Sequence, residues 1–92
     1  MTAQTERQKT AELLVLLQKV PFIPQDGLGR FIRGHLHELP IWIEWLGPDP
    51  SNAQIASKVG RRLSSLAYQD KIYCGNGRYM LVENARRDGL LA

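Results

Sequence analysis

Between positions 51 and 69 the apolar residues Ile55, Val59, Leu63 and Leu66 recur at intervals of four, four and three. That spacing lines one face of an α-helix. At about 100° per residue, Gln54, Ser57, Lys58, Arg61, Ser64, Ser65 and Tyr68 fall on the opposite face. Ser51, or Asp49 just ahead of it, is placed to cap this helix. Residues 71–82 then change period. Lys71-Ile72-Tyr73-Cys74 and Arg78-Tyr79-Met80-Leu81-Val82 flank Gly75-Asn76-Gly77. Asn-Gly between two apolar runs predicts a tight hairpin, because both residues tolerate positive φ. Ile72 is expected to face the core, with Tyr79 or its strand neighbours nearby.

The first half of the chain reads as further helices. Residues 5–19 predict one, capped by Thr2 or Thr5, with Glu6 in its first turn. Leu13, Leu14, Leu16, Leu17 and Val20 form its wide apolar face. Val15 and Ala11 point the other way, as an exposed pair or a partner surface. Pro21 and Pro24 end the helix, and PFIP suits a short extended segment. Asp26 reads as the cap of a second helix over 26–39, in which Leu28, Phe31, Ile32, His35, Leu36 and Leu39 share a face. Gly27, Gly29 and Gly34 weaken it, by about 1 kcal/mol for an interior glycine. They also permit close packing against a neighbour. Arg30 and Arg33 face solvent as a second, weaker cationic spot.

Pro40 suits the first position of a third element over 40–46, IWIEWL, which Gly47 stops. A short buried helix with both Trp42 and Trp45 in the core is expected, with a strand as the alternative. Gly47-Pro48-Asp49-Pro50 is a rigid turn. Residues 83–92 form a tail, helical or frayed. The fold class is therefore mainly α with a C-terminal β-hairpin, in one small domain spanning 1–92.

Charge changes this picture more than composition does. The chain carries +3 overall, but residues 51–82 hold Lys58, Arg61, Arg62, Lys71 and Arg78 against the single acid Asp70. The segment is +4 and the rest of the chain −1. Between Ser51 and Gln69 there is no acid at all. A basic helix followed at once by a two-stranded ribbon suits a nucleic acid duplex, whose phosphates repel acids.

Catalytic chemistry has little support. The only candidate soft ligands are His35, His37 and Cys74, too few for a four-ligand zinc site. On a helix, His35 and His37 would lie about 160–200° apart and could not share an ion. The glycines near position 30 lack the Gly-Lys-Ser/Thr of a phosphate loop. No enzyme activity, metal or cofactor is expected. With a single cysteine no internal disulfide can form, and a reducing, cytoplasmic setting is expected. No apolar run approaches the roughly 20 residues needed to span a bilayer, and the N-terminus does not read as a signal peptide.

The order of helices, basic helix and hairpin resembles the winged helix-turn-helix superfamily, and the segment Asn52 to Val82 carries the likeness. The resemblance implies that residues 51–69 are a recognition helix and 71–82 a wing. It implies a DNA-binding set of Asn52, Gln54, Ser57, Lys58, Arg61, Arg62, Lys71, Asn76 and Arg78. Asn52 and Gln54 would address base edges, adenine by preference, and Arg61 a guanine. Arg62 would hold a phosphate. Lys71, Asn76 and Arg78 would meet backbone or minor groove. Three features depart from the family pattern: the short element before the recognition helix, the proline-rich linker between them, and an additional helix over 26–39. The implied function is sequence-specific double-stranded DNA binding by a small regulator of bacterial or phage type, with a possible homodimer formed through Val15 or the Leu-Leu-Ala tail. An accessory module of a mobile-element replication protein fits the same pattern. So does an adaptor or antirepressor-like module with an acidic protein partner.

Overall fold

The computed structural model describes residues 3–91. Helix α1 (Ala3–Lys19) buries Leu13, Leu16 and Leu17, with Leu14 and Val20 half-buried at its edges and Val15 exposed. Because α1 already includes Ala3, Thr5 lies inside the helix and is not its cap. The alternative cap, Thr2, lies outside the described residues.

The PFIP segment becomes a short strand, β1 (Ile23–Pro24), with a partner far away in sequence. Ile23 pairs with Tyr79 and Pro24 with Arg78, antiparallel. The pairing continues where Gln25 N–H donates to the Gly77 carbonyl at 2.8 Å. A proline is tolerated here because the strand is at the sheet edge. The hairpin strands are β2 (Tyr73–Gly75) and β3 (Arg78–Met80), with β3 central in the order β1-β3-β2. Gly75 pairs with Arg78, so the loop is only Asn76 and Gly77, at φ 55° and 73°. These are the two left-handed positions that a twisted two-residue hairpin requires.

The expected helix over 26–39 is divided. Helix α2 (Leu28–Gly34) starts from Gly27 at φ 72°, with no side-chain cap. Asp26 is therefore not the cap; a glycine able to adopt positive φ sets the entry instead. The helix stops at His35 and gives way to a 3-10 turn over Leu36–Glu38. Leu39 then leaves helical geometry, at φ −128° and ψ 62°, as a residue preceding proline is pressed to do.

Helix α3 (Pro40–Leu46) settles the helix-or-strand alternative, with Pro40 in its first turn. Trp42 and Leu46, four apart, are buried. Trp45 is not a core residue: it is 37% exposed, whereas Trp42 is 1% exposed. A seven-residue helix covers the core with one narrow stripe, and Trp45 falls on its flank. The α3 N-terminus is capped from α1. The Glu12 carboxylate accepts N–H bonds from Ile41 at 2.9 Å and from Trp42 at 3.2 Å. The Trp42 indole N–H donates to the Lys9 carbonyl at 2.9 Å. Both links satisfy polar groups that would otherwise be orphaned next to the core.

Helix α4 (Asn52–Tyr68) buries the four apolar residues that define its period. Ser51 caps it reciprocally with Gln54. At its other end Asp70 takes φ 60°, and Lys71 N–H reaches back to the Leu66 carbonyl at 2.9 Å. That left-handed closure turns the chain so that Ile72 enters the core. Helix α2 crosses α4 closely: a Cβ on Gly29 would overlap the Asn52 backbone carbonyl.

The hairpin ends sooner than 71–82, because Val82 begins helix α5 (Val82–Arg87), which buries Ala85. The tail over 83–92 thus opens in a helix, closed by Gly89 at φ 77° and by Leu90 N–H on the Ala85 carbonyl at 2.8 Å. Residues from α1, β1, α2, α3, α4 and the hairpin share one core cluster. The protein is mainly helical, with a C-terminal hairpin joined by β1 in a small antiparallel sheet, an arrangement consistent with a winged helix. Among the described residues no helix is long and apolar enough to cross a membrane.

Candidate nucleic-acid interface

The outward face of α4 follows from the packing of its inward one. With Ile55, Val59, Leu63 and Leu66 turned to the core, Ser57, Lys58, Arg61, Ser64, Ser65 and Tyr68 are exposed. Arg61 makes no ion pair among the described residues. Tyr68 is 91% exposed at the end of the stripe. The helical period placed it on this face, but no residue type in the sequence marked it as a contact. Short serines flanking Arg61 leave room for a duplex edge to approach.

The first turn of α4 is different. Asn52 and Gln54 are exposed, but both amide oxygens already accept a bond. Asn52 Oδ1 accepts Arg33 Nε–H at 2.7 Å, and Arg33 also donates to the Pro50 carbonyl. Gln54 Oε1 accepts the Ser51 N–H at 2.8 Å. Two-point recognition of adenine uses an amide oxygen and an amide N–H together. Here the oxygens fasten α4 to α2 and to its own cap. Arg33, expected only as a solvent-facing cation, is one of the fasteners.

Arg62 is half-buried and pairs with Glu6 of α1. The salt bridge neutralises much of its field within the fold. Lys58 extends to within 5.8 Å of the Trp45 ring centroid. Lys9, buried on α1, lies 3.7 Å from the same centroid and 3.3 Å from Glu6. Burial pushes the Lys9 ammonium pKa below the ordinary lysine value. Together these side chains border a cleft of about 410 Å³ between α1, α3 and α4.

At the hairpin, Asn76 is exposed at the tip and Lys71 at the base. Arg78 lies on β3 with its guanidinium 4.3 Å from the Phe22 ring centroid. Stacking orients the cation while leaving its edge donors available. Asp70, the only acid of the 51–82 segment, sits at the α4–hairpin junction. The structure therefore presents Ser57, Lys58 and Arg61 on one helix face, and Lys71, Asn76 and Arg78 on the hairpin. Asn52, Gln54 and Arg62 are tied into the scaffold.

The histidines depart from expectation. Because α2 ends at Gly34, His35 and His37 are not on opposite helix faces. Their rings stack at 6.4 Å, and His35 Nδ1 lies 2.9 Å from Glu38 Oε2. His35, then Lys19, hydrogen-bond Glu38 and hold its carboxyl below the usual range. Among the described residues no group of three or more His, Cys, Asp or Glu side chains is placed to hold a metal ion. In comparisons with known proteins, no family model, curated protein or solved structure matches the chain.

Proposed function

We propose that this protein is a winged-helix module that binds double-stranded DNA, with α4 in the major groove and the β2–β3 hairpin as the wing. The observation that carries this reading is the acid-free outer face of α4, with Arg61 unpaired among the described residues. Arg61 is the residue positioned for a guanine edge, with Ser57 and Ser64 on either side. Lys58, Lys71 and Arg78 supply phosphate contacts, and Asn76 approaches the backbone or minor groove from the hairpin tip. Asn52 and Gln54 contribute through the amide donors that their scaffold bonds leave over. Arg62 contributes through position more than charge. A small transcription regulator of bacterial or phage type, non-enzymatic and cytoplasmic, is the role that fits such a module.

Selection of bound sequences from a random duplex pool tests this. Recovery of a motif that disappears with Arg61→Ala supports it; recovery of random sequence contradicts it.

One observation favours a second reading. With Asn52, Gln54 and Arg62 engaged internally, the base-reading set is small for a specific regulator. An adaptor that meets an acidic protein needs only the positive field. Such a module would bind duplexes weakly and uniformly, and an acidic partner would displace them.

A further inference from the structure

The cleft between α1, α3 and α4 combines two features that the core does not require. One wall carries Trp45, an indole left 37% exposed although a buried indole, Trp42, sits three residues away. Leaving part of a large aromatic surface in water forfeits burial, and its chemistry suits a ring. The remaining walls bring four cations, Lys9, Lys58, Arg61 and Arg62, against one acid, Glu6. Glu6 is shared between Lys9 and Arg62. The lining keeps a positive excess, with Lys58 and Arg61 exposed at the mouth.

We propose that this cleft is a binding site for a small phosphate-bearing heteroaromatic, the chemical class of a nucleoside monophosphate. The volume of about 410 Å³ lies within the span of small-molecule sites, roughly 300–1,000 Å³. Lys58 and Arg61 present several N–H donors at the mouth, enough to engage more than one oxygen of a phosphate. Lys9 already lies over the Trp45 ring, 3.7 Å from its centroid, so the stacking surface is the part of the indole that stays exposed. An occupant would draw the charge of Lys58 and Arg61 away from the outer face of α4. Lys58 and Arg61 belong to both surfaces, but binding of the small ligand requires no duplex to be present.

Isothermal titration of the full chain with 5′-AMP, without DNA, tests the proposal; adenosine and inorganic phosphate serve as controls. Saturable binding of 5′-AMP tighter than either control is expected. Trp45→Ala should weaken it by at least about fivefold, the loss of one base–aromatic stack. Lys58→Ala should weaken 5′-AMP and leave adenosine unchanged, a separation that loss of folding would not produce. No saturable heat with millimolar 5′-AMP overturns the proposal, as does equal affinity for inorganic phosphate or unchanged binding by Trp45→Ala. Duplex binding is measured separately, so failure here leaves the DNA reading standing, and the reverse.

Discussion

The Glu12 carboxylate on α1 accepts the Trp42 backbone N–H on α3 at 3.2 Å, capping a helix that has no side-chain cap of its own. A carboxylate at a helix N-terminus is favoured both by the free N–H groups and by the helix dipole. Glu12→Ala removes the acceptor from part-buried donors and should destabilise the fold by about 1–2 kcal/mol. Glu12→Gln keeps one acceptor and should lose less. Urea denaturation at neutral pH measures both; equal loss in the two variants would show that the cap does not act through its oxygens.

Gly29 is the position where α2 meets the α4 backbone. An added Cβ overlaps the Asn52 carbonyl, so Gly29→Ala has to push the two helices apart. A loss of about 3 kcal/mol is expected, near the upper end for overpacking. Gly34→Ala is the contrast, since nothing lies within 4 Å of its would-be Cβ. That variant should be neutral or more stable by up to about 1 kcal/mol, through a less flexible unfolded chain. Thermal melts of the pair separate close packing from general intolerance of glycine replacement.

Asp70 occupies a left-handed turn at φ 60°, where glycine is the residue with no Cβ penalty. Asp70→Gly should stabilise the protein by about 0.5–1 kcal/mol. It also removes the only acid of the 51–82 segment, so duplex affinity at low salt should rise. Asp70→Asn separates the two effects, raising affinity with a smaller gain in stability. Unchanged affinity in both variants would place the interface away from the α4–hairpin junction.

Glu38 links the end of α1 to the 3-10 turn, through Lys19 at 3.1 Å and His35 at 2.9 Å. Its folded carboxyl pKa is lowered by the His35 hydrogen bond first and the Lys19 bond second. The stability it contributes is therefore complete above the unfolded carboxylate pKa and lost as pH falls through the folded value. Denaturation profiles from neutral to acid pH should be flatter on the acid side for Glu38→Gln than for the parent. Superimposable profiles would remove Glu38 from the pH response.

The sequence was most informative where the determinant is local. The period of Ile55, Val59, Leu63 and Leu66 places α4, Ser51 marks its start, and Asn76-Gly77 marks the hairpin, because each signal lies within the element it specifies. What escaped depends on distant partners. Ile23 and Pro24 form a strand only because β3 lies beside them. Glu12 caps a helix nearly thirty residues away. The break at His35 reflects Gly34 behind it and Pro40 ahead, which outweigh an apolar period that continues through Leu39. Within the candidate interface, the exposure of Ser57, Lys58 and Arg61 follows from helical geometry. The engagement of Asn52 by Arg33, Gln54 by Ser51 and Arg62 by Glu6 requires a neighbouring segment to be in place. No periodicity reports that.

Removing cations one at a time should divide the interface by role. Arg61→Ala should cost about 1–3 kcal/mol on a preferred duplex and relax sequence preference. Arg78→Ala should weaken all duplexes alike and reduce the salt slope by about one. Arg62→Ala should affect stability through Glu6 more than it affects binding.

The most direct test of a duplex-binding face on α4 and the hairpin is the affinity for a labelled duplex as a function of salt, between about 50 and 200 mM. Contacts from Lys58, Lys71 and Arg78 predict a linear fall of log K with log salt, with a slope of roughly −3, made shallower by Lys71→Ala and Arg78→Ala. Absence of binding at the lowest salt, or a slope untouched by both substitutions, would contradict it.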